Sequence, residues 1–316
     1  MTKRIYFLGA GASREAGIPT QNELWEQMQE KFKQTGDSQG KQVLDFAAYL
    51  NFAEPNTKVN INTAEFLTII DLALEQNVSL GKYEGDVLRR IKDVLVDAMC
   101  EILESAVLKE CYGVLAEFCP TLTSEDTIIS LNYDTVIDHI LRDCMGEIDY
   151  GFSFNHVFGE EPIYIQPRRQ LLLKPHGSLN WRYCSRCNHI YLLLDVKKDY
   201  SCKMTCPEDE HYLREVIVTP TYHKKFLVPQ LHDVWMLCFD KIKQAEAINF
   251  IGYSFPPGDV HIIHLIKRAV LAGKQRPEIN VISSDSYGMV FHRCENIFSK
   301  FNYYKTSFRD YFYDRI

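Results

Sequence analysis

The sequence has no apolar stretch near the roughly 18 residues that a membrane-spanning helix requires, so no membrane partner is expected. It also lacks an excess of positive charge, with 35 lysines and arginines against 42 acidic residues and a net charge of -7. Broad electrostatic attraction to nucleic acid needs the opposite balance, so direct nucleic-acid binding is not expected. The basic group His223, Lys224 and Lys225 offers local phosphate contacts, but a solvated loop accounts for it more simply. A signal-peptide pattern is missing too. After Lys3 and Arg4 the apolar run stops at Leu8 and meets glycine, which reads as a strand entering a loop. Without a secretion signal, ten cysteines imply a reducing, cytoplasmic setting. Internal repeats and low-complexity tracts are absent. At 46% hydrophobic residues, 316 residues can bury a core as one large domain with insertions or as two domains.

The pattern along the chain is α/β. Arg4 to Leu8 reads as a first strand, and Asn22 as the cap of a helical run through Leu24, Met28 and Phe32. From there to about Pro120 the apolar period stays helical, clearest over Thr63 to Gln76 and Val87 to Val107, with residues 51–62 as a loop. Strands and helices then alternate. Strands are expected at Thr127 to Leu131, Leu171 to Leu173, Glu215 to Thr219, Ile248 to Ile251 and Ile279 to Ile282. Helices follow at Val136, Pro229 and Val260. This alternation predicts a parallel sheet with helices on both faces. The expected organisation is a sheet domain from 1–30, 120–180 and 214–316, a helical insertion at 31–119, and a small module at 181–213.

That small module holds a cysteine pattern. Cys184-Ser-Arg-Cys187 is followed, after fourteen residues, by Cys202-Lys-Met-Thr-Cys206. Two close pairs across a mid-length loop let four thiolates surround one tetrahedral zinc, with Ile190 to Leu194 as a strand of the ribbon. Four ligands leave no open position, so such a zinc is structural. Two disulfides or four free thiols are the alternatives. His189 and His211 lie nearby but are not needed to fill the shell. The other six cysteines, Cys100, Cys111, Cys119, Cys144, Cys238 and Cys294, read as small buried hydrophobes.

Three polar segments carry the candidate chemistry. Ser130-Leu-Asn132-Tyr-Asp134 and Lys174-Pro-His176-Gly-Ser178 lie 44 residues apart, each directly after a buried strand. Polar side chains at the carboxyl ends of parallel strands stand where open α/β sheets bind ligands. Gly9-Ala10-Gly11-Ala12-Ser13, running on to Gly17-Ile18-Pro19, is a glycine loop of the kind that lets backbone approach a pyrophosphate. Gly17 lies six residues beyond Gly11, however, so the usual dinucleotide fingerprint is not met, and a tight turn without a ligand explains the loop equally well. Asn132 also reads as a helix cap and His176 as an ordinary loop histidine. His139, His261 and His264 fall at helical spacing and read as face or packing residues, and Asp259 as the cap of the helix after it.

Read in order, these segments resemble the sirtuin family, together with Gly252-Tyr-Ser254 and Asn280-Val-Ile-Ser283. The resemblance spans the sheet-forming parts from residue 4 to about 285 and omits the helical stretch. It implies NAD, as substrate, held between a Rossmann-like sheet and the zinc-ribbon module. Carried over, Asn132 and Asp134 flank the nicotinamide and its ribose, and His176 is the general base. Gly9, Ala10, Gly11, Ser13, Gly17, Gly252 and Ser254 then line the phosphates and riboses, with Ser283 and Asp285 at the adenosine side.

Departures narrow the reading. Family deacylases have Asp-Phe-Arg where this chain has Thr20-Gln21-Asn22, and a glutamine where it has Ser130-Leu131. Val218-Thr-Pro-Thr221 replaces the segment that pairs with an acyl-lysine peptide. In these respects the chain is similar to bacterial sirtuin-like domains that destroy NAD, often in antiphage defence. The resemblance therefore implies an NAD glycohydrolase yielding nicotinamide and ADP-ribose. The alternatives are an NAD-dependent deacylase or ADP-ribosyltransferase, and a sensor that binds NAD or ADP-ribose without cleaving it. Surplus aromatic and aliphatic residues at Phe46, Tyr49, Leu50 and Phe52 point to a homo-oligomer or a defence-system partner subunit, or else to internal packing. The aromatic tail from Phe301 to Tyr313 reads as a last strand and helix or as an interface.

Overall fold

The computed structural model describes residues 2–55, 57–107, 112–159, 168–194, 204–222, 224 and 228–315. In chain order the strands are β1 (Arg4–Leu8), β2 (Thr127–Ser130), β3 (Gly146–Asp149), β4 (His156–Phe158), β5 (Arg168–Leu173) and β6 (Gly177–Tyr183). They continue as β7 (Ile190–Leu193), β8 (Arg214–Ile217), β9 (Ala247–Ile251), β10 (Glu278–Ile282) and β11 (Asn302–Tyr304). The helices are α1 (Gln21–Thr35), α2 (Ser38–Leu50), α3 (Thr63–Gln76), α4 (Gly85–Val107) and α5 (Leu115–Phe118). After them come α6 (Val136–Met145), α7 (Pro229–Gln244), α8 (Val260–Ala272), α9 (Met289–Ile297) and α10 (Phe308–Tyr313). Contacts gather these elements into two units. One comprises Met1–Ile18, Val107–Val218 and Phe226–Ile316, and the other Pro19–Ala106 with Thr219–Lys225.

The first unit is built on a seven-stranded sheet in the order β11-β10-β9-β1-β2-β5-β3, and every pairing in it is parallel. Successive side chains of a strand point to opposite faces. Ile5 and Phe7 of β1 enter a core with Val234 and Cys238 of α7, Ile262 and Leu265 of α8, and Val290 of α9. Phe7 stacks on Phe250 of β9 with centroids 4.9 Å apart. Tyr6, between them, points the other way and meets Phe118 of α5 edge-on at 5.0 Å. Apolar side chains thus occupy both faces, as a parallel sheet covered by helices requires. Each such side chain, fully buried, contributes about 1.5–3 kcal/mol of transfer free energy.

The order of strands locates the binding end. From β1 the sheet extends on one side through β2, β5 and β3, with β3 laid at the edge before β5 enters beside β2, and the later strands β9, β10 and β11 lie on the other side of β1. The growth direction reverses between β1 and β9. In open α/β sheets that switch point, at the carboxyl ends of the strands, is where a crevice for a ligand opens.

Several local expectations are corrected. The strand expected at Glu215 to Thr219 does not join the parallel sheet. As β8 it runs antiparallel to β6 in a separate four-stranded sheet of order β4-β7-β6-β8. The reason lies partly at Gly177, whose φ of +82° turns the chain so tightly that a Cβ there would lie 1.9 Å from the Val216 carbonyl oxygen. A strand's own pattern does not encode its partner's direction. The first long helix is capped by Thr20 and not by Asn22. Thr20 donates both its backbone N–H and its hydroxyl to the Glu23 carboxylate, each at 2.8 Å, while Asn22 lies inside α1. Cys100, Cys119, Cys238 and Cys294 are buried as expected, but Cys144, near the end of α6, is exposed, and Cys111 lies outside the described residues. The tail forms β11 and α10.

The second unit is helical. Trp25, Phe46, Phe66 and Tyr83 pack as a chain of tilted rings, and the Trp25 indole N–H donates to the Val59 carbonyl at 3.0 Å. Phe46 is fully buried in this core, whereas Phe52 is 99% exposed. Among the described residues, no helix is long and apolar enough to cross a membrane.

Candidate functional site

At the switch point the loop after β1 is pressed against the turn after β9. Gly9 N–H donates to the Ile251 carbonyl at 3.0 Å, and Gly11 N–H to the Gly252 carbonyl at 2.9 Å. Gly252 has φ +61°, and a Cβ there would lie 2.3 Å from the Ala12 nitrogen. A Cβ on Gly9 would in turn lie 2.6 Å from the Gly252 oxygen. Three glycines are therefore required simply for backbone to meet backbone here, before any ligand is considered. The loop continues as two short 3-10 turns, Ala10–Ala12 and Arg14–Ala16, and Gly17 ends the second with φ 82°.

The polar motif after β2 closes on this loop. Leu131 N–H donates to the Leu8 carbonyl at 2.9 Å, extending the ladder between β1 and β2 by one bond. The next residue, Asn132, sends both hydrogens of its amide back to the loop, to Gly9 O and Ser13 Oγ, each at 3.0 Å. Ser13 Oγ donates to Asp134 Oδ1 at 3.3 Å, and the same oxygen accepts Val136 N–H at 3.1 Å at the start of α6. Asn132 thus anchors the glycine loop and Asp134 holds the first N–H of α6, leaving Asn132 Oδ1 as the amide acceptor outside these bonds. Burial raises the Asp134 carboxyl above its ordinary value, while the nearby Lys174 charge opposes that rise.

Lys174 and Asp138 were not among the candidate residues, and the structure makes them the centre of the support. Lys174, directly after β5, is fully buried and uses three donors, to Asp134 O (2.7 Å), Asp138 Oδ2 (2.9 Å) and Ser178 Oγ (2.6 Å). Asp138 also accepts the Tyr150 hydroxyl at 2.7 Å. Burial by itself would raise the Asp138 carboxyl. The Lys174 charge and the bonds from Lys174 and Tyr150 outweigh it and hold the group below its ordinary value. One signal in the sequence pointed here: a lysine directly after the apolar run Leu171 to Leu173 is buried only if it is paired.

His176 follows Lys174 by two residues and is buried. Its Nδ1 lies 3.2 Å from the Leu131 carbonyl, which only accepts, so Nδ1 carries a hydrogen. Its Nε2 lies 3.0 Å from His261 Nε2. His261 is therefore more than a face or packing residue of α8. Its ring also lies 5.5 Å from that of Trp235. Asp259 makes no side-chain cap bond to α8, and its Oδ2 instead accepts the Tyr253 hydroxyl at 2.9 Å. Burial first, and Asp259 second, lift the Tyr253 phenol well above its usual range.

The remaining predicted positions lie along the ends of β9 and β10. Ser254 is exposed, and its carbonyl accepts Arg293 Nη1 at 2.8 Å. Phe255, buried beside it, holds φ +50°, an uncommon conformation for a residue with a side chain. Ser283 Oγ accepts Asp285 N–H at 3.3 Å. The Asp285 carboxylate accepts Val290 N–H at 2.7 Å and Tyr287 N–H at 3.0 Å, and these bonds hold it below its ordinary value.

In the four-stranded sheet, Cys184, Cys187 and Cys206 converge with Asp209, one ligand atom of each lying within 4.8 Å of the others. Cys202 lies outside the described residues. Cys187 Sγ is 3.6 Å from Cys206 Sγ, and both Asp209 oxygens are 3.5 Å from Cys184 Sγ. Thiolates bound to one tetrahedral zinc at about 2.3 Å stand roughly 3.8 Å apart, so the spacing and the soft donors fit zinc. The proximity of Asp209 to these thiols is not signalled by the cysteine spacing.

No protein-family model matches the sequence, and no curated protein matches it. A sirtuin structure concerned with the structural basis of substrate affinity aligns at 13% identity and TM-score 0.42, covering 98% of this chain and 90% of that one. A Sir2 crystal structure with the inhibitor EX-527, 2'-O-acetyl-ADP-ribose and a deacetylated p53 peptide aligns at 14% identity and TM-score 0.43, covering 98% and 90%.

Proposed function

We propose that this protein cleaves NAD at the nicotinamide–ribose bond, with water as the acceptor, to give nicotinamide and ADP-ribose. The observation that supports this most is the bonded assembly at the switch point, in which Gly9, Ser13, Asn132 and Asp134 form one network and His176 hangs from Leu131 beside it. The leaving group is already a cationic pyridinium, so the reaction asks mainly for positioning of the sugar and stabilisation of oxocarbenium charge. Asn132 Oδ1 offers a neutral acceptor for a ribose hydroxyl or for water. Asp134, as a carboxylate, favours the developing positive charge. His176 belongs to the residue type that exchanges protons near neutral pH. In the small sheet, zinc on Cys184, Cys187 and Cys206, with Cys202 as the sequence pattern gives it, would hold the chain in place and supply no step.

Water is favoured over an acyl-lysine peptide by a further observation. Val218 donates its N–H to His176 O at 2.9 Å, and its carbonyl accepts the Tyr133 hydroxyl at 2.6 Å. The backbone at the start of the segment that would pair with a peptide is already engaged within the protein. The test is direct. Purified protein is incubated with NAD and nicotinamide release is followed, with Asn132→Ala and His176→Ala as variants expected to lose about 10²–10⁴-fold in turnover while staying folded. Absence of release by the wild type, in any oligomeric or partner-bound state, would sink the proposal. NAD binding without release would mark a sensor, and turnover that depends on a protein acceptor would mark a deacylase or transferase.

A further inference from the structure

The glycine loop from Gly9 to Gly17 carries a single acid, Glu15. That residue calls for an explanation, because a loop that meets a pyrophosphate is best served without a carboxylate beside it. The structure gives the carboxylate its own cation. Arg309 of α10 makes a two-pronged bond to it, Nε to Oε1 at 3.1 Å and Nη2 to Oε2 at 2.9 Å. Val114 N–H also donates to Oε2, at 3.0 Å. Gly113 leaves room for this: its φ is +58°, and a Cβ there would lie 2.5 Å from Glu15 Oε2.

Both partners are held from behind. Ser307 Oγ accepts Asp310 N–H at 3.1 Å and starts α10. Phe308 and Phe312 meet the Phe118 ring edge-on, with centroids 5.3 and 6.1 Å away, and the Tyr313 hydroxyl donates to Glu117. On the loop side, Glu15 lies two residues from Ser13, whose Oγ bonds Asn132 and Asp134. Ala16 N–H returns to Ser13 O at 3.1 Å and Gly17 N–H to Arg14 O at 3.0 Å, so the turn that carries Glu15 is closed directly onto Ser13. The paired side chains are 47% and 32% exposed, and ion pairs this open to water add little to global stability. Their effect is local to the loop.

We propose that Arg309 and Glu15 are a positioning pair for the substrate's pyrophosphate. Arg309 neutralises the acid of the glycine loop and steadies the Arg14–Ala16 turn, so that Gly9 to Ser13 receive the phosphates without a repelling charge. The assignment rests on NAD lying at this loop, as the NAD-cleavage reading has it. Neither residue acts on the reacting sugar. The phosphates carry the same charge before and during cleavage, so the pair governs binding and leaves the bond-breaking step alone.

The test compares wild type, Arg309→Ala and the double variant Arg309→Ala with Glu15→Gln, by calorimetric NAD binding, nicotinamide release and thermal melts. Arg309→Ala unshields the carboxylate. It is expected to raise Kd and KM for NAD about tenfold, with kcat within about twofold of wild type and Tm nearly unchanged. The rise in Kd should shrink as salt goes from about 0.05 to 0.5 M. Adding Glu15→Gln removes the charge but keeps an oxygen for Val114 N–H, and should bring Kd back to within about threefold of wild type. A wild-type Kd in Arg309→Ala overturns the assignment. So does a loss of kcat at unchanged KM, or a double variant that binds no better than Arg309→Ala. Wild-type protein that does not bind NAD overturns the NAD reading and this assignment with it. Protein that binds NAD without releasing nicotinamide fails the cleavage reading alone, and the Kd comparison then still decides the pair.

Discussion

The buried pair of Lys174 and Asp138 yields the most demanding prediction. The charges are 2.9 Å apart and their side chains are 0% and 1% exposed. Lys174→Met keeps volume and removes charge, leaving Asp138 with only the Tyr150 hydroxyl and leaving Asp134 O and Ser178 Oγ without that donor. Breaking a buried pair by removing one partner costs about 3–5 kcal/mol. For domains of 150–250 residues, each kcal/mol shifts Tm by about 2–4 °C, so a fall of roughly 6–20 °C is expected. The pH dependence fixes the sign independently. In the wild type the Asp138 carboxyl lies below its ordinary value, so its contribution is present above the unfolded carboxylate pKa and is lost as pH falls through the folded one. In Lys174→Met, burial without the lysine raises that carboxyl, so the variant gains relative stability as pH falls. The gap in Tm between the two proteins, measured by scanning calorimetry, should narrow from pH 7 towards pH 4. Adding Asp138→Leu to Lys174→Met should recover part of the loss, with a coupling energy above about 1 kcal/mol. Additive single variants, or a Lys174→Met loss under about 1 kcal/mol, would refute the reasoning.

Three further outcomes are expected. Gly252→Ala puts a Cβ into backbone at φ +61°, against the Ala12 nitrogen; the left-handed conformation alone costs about 1–2 kcal/mol. Thermal melts should show that loss, and calorimetry should show weakened NAD binding; unchanged affinity would mean that the seam between loop and turn does not shape the site. Metal analysis should find one zinc per chain, and chelation or Cys206→Ser should disorder the four-stranded sheet by circular dichroism; protein free of metal yet equally stable would defeat the zinc assignment. Glu15 accepts a bidentate bond from Arg309, which holds its carboxyl below the ordinary value. That contact stabilises above the unfolded glutamate pKa of about 4.3 and is lost as pH falls through the depressed value. Protection of the Phe308–Tyr313 amides, measured as hydrogen exchange relative to the intrinsic rate at each pH, should therefore fall at low pH, and Arg309→Ala should remove the dependence.

Much of the sheet was legible in one dimension. A mostly apolar run of three to five residues ending in glycine, asparagine, serine or a lysine–proline pair marks a buried strand and its exit, and β1, β2, β5, β9 and β10 all lie where such runs occur. The polar residues after those runs were legible for the same reason, since a parallel sheet places every strand exit at one end. The direction of β8 was not, because alternation looks alike in parallel and antiparallel partners. The start of α1 offers two caps in sequence, Thr20 and Asn22, and the structure uses Thr20, whose partner Glu23 three residues on completes a capping box.

Sequence alone thus determined the class of the fold and which residue types stand at its binding end. Local periodicity and turn chemistry are enough for both. Only the tertiary structure decided who touches whom there. Asp138 reaches Lys174 across 36 residues and His261 reaches His176 across 85. Such partners are set by strand order and by where β9 returns beside β1, which no local pattern records. That is why His176 was found from its motif, while the histidine beside it emerged only from the fold.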